Sequence, residues 1–284
     1  MTVRECLDRA RARIEAAGFA PADAALDARV LVSHVLRRDT AWLLAHDDHV
    51  PSAPEVSQID HCVARRTTHE PVAYITGVRE FYGRPFSVSP AVLIPRPETE
   101  LIIEAFLEAF PPADTGAIVE VADVGTGSGC IAITIACEHP GARVTAIDIS
   151  PAALSIAREN AVRLGVADRV TFVQASLIPP HFWNFDAIVT NPPYVSMHDH
   201  AYLSPTVREF EPHVALFAGP TGLDVITPLL TRAAAALKPG GLLAMELGAG
   251  QASTVRWLAA EAGFTQCDVR LDLAGIERTL VARR

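Results

Sequence analysis

The chain has 284 residues, room for one large domain or for a medium domain plus a small one. Half of it is hydrophobic and a fifth charged, which excludes disorder by composition; a formal net charge of −9 argues against a broad electrostatic grip on nucleic acid. Arginine is plentiful while Lys238 is the only lysine, a bias that reads as coding preference rather than a binding surface. The five cysteines (Cys6, Cys62, Cys130, Cys137, Cys267) are scattered without a CxxC pair and fit reduced thiols better than a disulfide frame or a zinc site. Arg4, Glu5, Asp8 and Arg9 interrupt any leader-like stretch, and no apolar run approaches the roughly 18 residues of a membrane span. A soluble, cytoplasmic protein with no membrane contact is expected.

Residues 1–71 read as a small helical domain. Leu7, Ala10, Ile14 and Ala17 recur at helical spacing up to Gly18. Asp23 is then placed to cap a helix carrying Leu26, Val30, Leu31 and Val35, and a further helix follows Pro51 and Pro54, around 55–68. Residues 72–95, VAYITGVREFYGRPFSVSPAVLIP, change character. β-Branched and aromatic residues surround Gly77 and Gly83, predicting a β-hairpin linker.

From residue 96 to 284 strands and helices alternate. Strands are expected at 118–124, 144–147, 170–173, 187–189, 242–246, near 265–270 and at 278–281. Helices are expected at 128–138, 151–164, 223–237 and 251–262. This pattern predicts an α/β fold with a doubly wound, mostly parallel sheet. Pro97 and Glu98 either begin a helix or, with Arg96 and Glu100, help position the linker over a site. Glu211 and Glu246 fall near strand ends or loops; they read as solvated carboxylates, with support of the site residues from behind as the alternative. His198 and His200 read as a solvated loop, and no metal-ligand set is apparent.

Three motifs carry chemistry. In VADVGTGSGCIAI (121–133) glycines at 125, 127 and 129 lie between a strand and a helix, where φ > 0 is accessible and a ligand can approach the backbone. The dinucleotide pattern G-x-G-x-x-G would place its third glycine at Cys130; the G-x-G-x-G spacing suits a cofactor with no pyrophosphate to seat. Asp148 ends the next strand about 20 residues on. It can hold both hydroxyls of a ribose, or cap the helix that starts at Pro151; beside the glycine loop the ribose role is the stronger reading.

The third motif is Asn191-Pro192-Pro193-Tyr194, at the end of the strand centred on Ile188. Proline fixes its own φ and restricts the residue before it, so acceptors on Asn191 and Pro192 point in set directions. The side-chain oxygen of Asn191 and the backbone oxygen of Pro192 can bind the two hydrogens of a planar NH₂ group. Such an arrangement suits methyl transfer to a nitrogen whose lone pair is delocalised. Tyr194 offers an aromatic face for a planar amide or base.

These residues resemble the class I S-adenosylmethionine-dependent methyltransferases. Within them the chain resembles the peptide chain release factor glutamine methyltransferases, through LIPRPETE (93–100), DVGTGSG, AIDIS, NPPYV, EFEPHVALFAGPTGLD (209–224) and LKPGGLLAMELGAGQ (237–251). The resemblance implies transfer of a methyl group from S-adenosylmethionine to the side-chain amide nitrogen of the glutamine in the Gly-Gly-Gln motif of release factors. The product would be S-adenosylhomocysteine, with no metal and no direct nucleic-acid contact. Carried over, Gly125, Thr126, Gly127, Ser128, Gly129 and Asp148 hold the cofactor, with Asn191 near its methyl group. Asn191, Pro192, Pro193 and Tyr194 hold the glutamine. Where the family often has an acidic residue and an aromatic beside the adenine, this chain has Ser176 and Leu177.

Two alternatives stand beside this one. An adenine amino-group methyltransferase acting on nucleic acid needs the same two acceptors, but the acidic balance disfavours it. A binding protein that kept the fold without catalysis has the intact Asn191 against it.

Overall fold

A computed structural model describes residues 1–112, 117–182 and 184–284. The chain divides into two compact units, 1–78 with 204–210, and 79–203 with 211–284.

The first unit is helical: α1 (Val3–Ala16), α2 (Pro21–Leu36), α3 (Thr40–Ala45), α4 (Ala53–Thr67) and α5 (Val72–Thr76). Thr2 and Ser52 open α1 and α4 with reciprocal capping boxes to Glu5 and Glu55, so the orphan N–H groups of both first turns are satisfied by side chains. The start of α2 differs from expectation. Its N-cap is Ala20, with Pro21 in the first turn, and Asp23 lies inside the helix. Its buried face also differs. Ala24, Ala28, Leu31 and Val32 point inward while Leu26 and Val30 are exposed. Alanines let α1 and α2 approach closely, and a search for large apolar residues overlooks such a face. Helix α3, capped by Asp39, has six residues and is too short to show a period. Arg66 is buried among these helices, bonded to Asp27 at 2.6 Å and lying 3.8 Å over the ring of Phe19.

The hairpin expected over 72–95 is shorter. After α5, strands β1 (Val78–Phe81) and β2 (Arg84–Ser87) pair across Tyr82-Gly83, whose φ values of 51° and 71° suit a tight two-residue turn. The segment then runs to a 3₁₀ turn (Pro97–Thr99) that leads into α6 (Glu100–Ala109).

The second unit is built on a seven-stranded sheet: β3 (Val119–Val124), β4 (Ala142–Asp148), β5 (Val170–Gln174), β6 (Phe185–Thr190), β7 (Leu237–Glu246), β8 (Gln266–Leu271) and β9 (Glu277–Arg283). The order is β5-β4-β3-β6-β7-β9-β8. The first five strands are parallel, and β9 runs antiparallel to both β7 and β8. Between them lie α7 (Cys130–Glu138), α8 (Pro151–Arg163), α10 (Ile226–Ala236) and α11 (Ala252–Glu261); a short α9 (Pro205–Phe210) belongs to the first unit. The architecture is the doubly wound α/β fold expected.

Both faces of the sheet are buried, because successive strand side chains alternate between them. Val121, Ala187, Val189, Leu242 and Ala244 pack on one side with α6 and α7. Ala122, Val124, Ile188, Leu243 and Met245 pack on the other with α10 and α11. Strand β7 begins five residues earlier than expected, at Leu237; the Pro-Gly-Gly that suggested a turn forms an irregular stretch, with the register against β6 shifting between Phe185 and Ala187. Lys238 there pairs with Asp186 at 2.7 Å. Connections leave β3 toward β4 and β5, then return to β6 and β7 on the other side, so the winding reverses between β3 and β6. A crevice for a ligand opens at the carboxyl ends of strands at such a reversal.

Candidate active site

The pairings Val124–Ile147, Val124–Thr190 and Thr190–Met245 align four strand ends. The next residue along each strand is Asp148 (β4), Gly125 (β3), Asn191 (β6) and Glu246 (β7). The sheet register therefore places two carboxylates, an amide and the glycine loop in one row.

The glycine loop is fixed from both sides. Gly125 and Thr126 donate their N–H groups to the carbonyl of Ile147 at 2.8 and 2.9 Å. Gly129 caps α7 with φ 82°; a Cβ there would lie 2.7 Å from Ile133 Cδ1 and 3.1 Å from Ala157 Cβ. It is therefore the glycine that lets α7 and α8 close up, while Cys130 is the first residue of the helix. Asp123, fully buried below the loop, accepts from Thr126 Oγ1 at 2.6 Å and from the Ala132 N–H at 3.1 Å. Burial pushes its carboxyl up to about 7, and pushes the Cys130 thiol up to about 12.

Asp148 accepts the N–H of Gly127 at 2.8 Å on one oxygen and that of Ser150 at 2.9 Å on the other. The cap of α8 is Ser150, whose hydroxyl accepts from Ala153. The competing role considered for Asp148 thus belongs to Ser150.

The Asn-Pro-Pro-Tyr corner is tied to the end of β7. Asn191 donates its Nδ2 to Thr99 Oγ1 at 3.1 Å, and Thr99 donates its hydroxyl to Glu246 Oε2 at 2.5 Å. Tyr194 donates its hydroxyl to Glu246 Oε1 at 3.1 Å. Gln251 holds the same corner from behind: its Nε2 donates to the Tyr194 carbonyl at 3.0 Å and its Oε1 accepts from Gly248 at 2.9 Å. Burial raises the Glu246 carboxyl; burial, with the Glu246 charge beside it, also raises the Tyr194 phenol.

Glu211 and Glu246 are not the solvated carboxylates expected. They are 3% and 2% exposed. Each is matched within the protein: Glu246 by the two hydroxyls, and Glu211 by Arg96 and by the Ile94 N–H at 3.2 Å. Arg96 thereby anchors the start of the segment, while Pro97 opens the 3₁₀ turn and Glu100 accepts from the Tyr82 N–H at 2.9 Å.

One cavity runs along this row. Its walls include Gly125, Thr126, Gly127, Ser128, Asp148, Ser176, Asn191 and Pro193, together with Val92, Leu93, Thr99, Cys130 and Val214. Of the other residues singled out from the sequence, Gly129, Leu177, Pro192 and Tyr194 are not on its wall. Gly129 is spent on helix packing, and Leu177 and Tyr194 rest partly buried against the cluster under α10 and α11. His198 is exposed; His200 sits edge-on to His213 and 5.4 Å from the ring centre of Phe217. Among the described residues no group of three or more His, Cys, Asp or Glu is arranged to hold a metal ion, and no described helix is long and apolar enough to cross a membrane.

Sequence reasoning passed over Thr99 and favoured a solvated Glu246. The available signal was positional: Glu246 ends an apolar strand at the same level as Asp148 and Asn191.

The fold is that of a Rossmann-like methyltransferase. A methyltransferase structure from Pyrococcus furiosus superposes with a TM-score of 0.53 at 19% identity, covering 78% of this chain and 96% of that one. The model of the methyltransferase small domain matches residues 99–208, and that of the PrmC N-terminal domain matches residues 5–77. The release factor glutamine methyltransferase of Koribacter versatilis is 44% identical over 100% of this chain and 99% of its own length. That of Bradyrhizobium diazoefficiens is 42% identical over 92% and 89%. The chain belongs to the family of release factor glutamine methyltransferases.

Proposed function

We propose that this chain transfers the methyl group of S-adenosylmethionine to the side-chain amide nitrogen of the glutamine in the Gly-Gly-Gln motif of peptide chain release factors. The observation that carries this reading is the presence of Asn191 on the wall of the cavity that also contains the glycine loop and Asp148. The donor set fits a nucleoside cofactor. Each oxygen of Asp148 already accepts one backbone N–H and keeps a lone pair, so the pair can take both hydroxyls of a ribose. Glycine at 125 and 127 leaves the backbone open to close approach. When bound, S-adenosylmethionine supplies an electrophilic methyl group on a sulfonium.

The chain's own residues position the acceptor. With its Nδ2 engaged by Thr99, Asn191 presents Oδ1 as an acceptor for one hydrogen of the glutamine amide. We assign the other hydrogen to the backbone carbonyl of Pro192, the next residue along, which itself lies off the cavity wall. Together they fix the NH₂ plane and favour the electron-richer, pyramidal nitrogen of the transition state. Transfer would form an N–C bond and break the S–C bond, whose electron pair stays on the sulfur of S-adenosylhomocysteine, while one amide proton passes to water. Residues 1–71 serve in recognising the release factor, 72–95 link that module to the catalytic part (96–284), and the enzyme works in the cytoplasm without contacting nucleic acid directly.

Incubation with labelled S-adenosylmethionine and either a release factor or oligonucleotides tests the reading. Label on the release factor, abolished by a Gln→Glu change in its acceptor loop, is expected. Label on nucleic acid alone overturns it, and label on neither points to a cofactor-binding protein without catalysis.

A further inference from the structure

Glu246 is an unusual group to bury. A carboxylate withdrawn from water loses several kcal/mol of hydration unless charge or strong hydrogen bonds replace it. Its two hydrogen-bonding partners are hydroxyls, Thr99 and Tyr194, and Thr99 is itself only 2% exposed. We propose that Glu246 is a positioning residue that acts through Thr99 to set which end of the Asn191 amide faces the cavity. The inference rests on the reading of Asn191 Oδ1 as acceptor for the substrate amide.

A threonine hydroxyl has one hydrogen and two lone pairs, and Glu246 in its ionised form has lone pairs only. The 2.5 Å contact with Glu246 commits the single hydrogen of Thr99. Toward Asn191, 3.1 Å away, Thr99 can then only accept, so the NH₂ end of the amide must turn to it. The oxygen end is left for the substrate. Without an acceptor at residue 246, the Thr99 hydrogen is free to bond Asn191 Oδ1. The amide then turns over and presents N–H groups to the N–H groups of the incoming glutamine, a mismatch of donor against donor. The substrate-facing polarity of Asn191 is thus set two residues away, by a carboxylate that never touches the substrate.

The test uses the full-length enzyme, a release factor as acceptor, steady-state kinetics and calorimetric S-adenosylmethionine binding. Thr99→Val keeps the shape and removes the hydroxyl; Glu246→Met removes the acceptor and keeps Thr99. Each should lower kcat about 10- to 100-fold, the scale of a misoriented positioning group, while cofactor affinity changes by no more than about twofold. Thr99→Ser, which retains the relay, should recover most of the turnover. Because both changes act along one line, the double variant should be no slower than the slower single. Additive losses, or Thr99→Val at wild-type kcat, overturn the relay. If Glu246→Met does not fold, the Val and Ser variants decide the matter alone. Asn191→Ala separates the two levels: full turnover in that variant sinks the reading of Asn191 itself. An inactive Asn191→Ala beside a fully active Thr99→Val sinks only the relay.

Discussion

The side-chain amide of Asn160 donates to the Ser128 carbonyl at 2.8 Å and also clasps both backbone groups of Ser87, accepting from its N–H at 2.8 Å and donating to its carbonyl at 3.1 Å. One fully buried residue of α8 thereby joins the glycine loop to the end of the hairpin. Asn160→Ala leaves the buried Ser128 carbonyl and the part-buried backbone groups of Ser87 without this partner. It should cost about 1–3 kcal/mol of stability in a urea titration, and loosen the loop enough to weaken cofactor binding. Unchanged affinity for S-adenosylmethionine would mean that the Ile147, Asp123 and Asp148 contacts hold the loop without Asn160.

Asn191→Ala should reduce methyl transfer by about 100-fold or more, since positioning of the nitrogen is lost. Cofactor affinity should stay within a few-fold of the parent, because the ribose and loop contacts do not pass through this side chain. Equal loss of both functions, measured by turnover and by calorimetry, would assign Asn191 to the cofactor instead.

Asp123 makes stability depend on pH. In the unfolded chain an aspartate titrates at about 4, whereas burial holds this one up to about 7. The folded state therefore keeps a proton that the unfolded state gives up. This contribution to stability is fully present below about pH 4, is lost as pH rises, and levels off above about pH 7. Asp123→Asn cannot ionise, so its urea midpoint should fall less between pH 5 and pH 8 than that of the parent. Glu246 shifts in the same direction but is present in both proteins and cancels in the comparison. Parallel curves would mean that Asp123 is ionised in the fold throughout.

Gly222 passes against the Asn-Pro-Pro-Tyr corner with φ 76°, and a Cβ there would lie 2.3 Å from the Tyr194 carbonyl and 2.9 Å from Gln251 Nε2. Gly222→Ala combines a left-handed backbone cost of about 1–2 kcal/mol with a clash that only movement of the corner relieves. Its kcat should fall more than its cofactor affinity. Gly263→Ala, also at positive φ but with open space around it, should lose stability without that selective loss of turnover.

Much of this was legible in the residues. Strands such as Val119–Val124 and Phe185–Thr190, alternating along the chain with segments of helical spacing, announce a largely parallel sheet with helices on both faces. Glycine loop, acidic strand end and Asn-Pro-Pro-Tyr are local patterns, and the sheet order brings them together. What escaped was relational. Helix α2 packs through Ala24 and Ala28, whose small side chains carry little signal. Thr99 and Glu246 are 147 positions apart, and neither is unusual until the register sets β7 beside β6. Glu211 looked solvated because its partner Arg96 lies 115 residues earlier in the chain. Burial of a charge is legible only once its counterpart is found.

Lys238, held by Asp186 at 2.7 Å, is the one lysine in the chain. Apart from the α-amino group, it is the whole of the protein's primary-amine chemistry. Acylating dyes, biotinylation reagents and amine cross-linkers should therefore leave this enzyme almost unmarked, and in a mixture with an acceptor protein they will map the acceptor's lysines. Protection of those lysines on mixing would trace the enzyme's footprint, with scarcely any background from the enzyme itself.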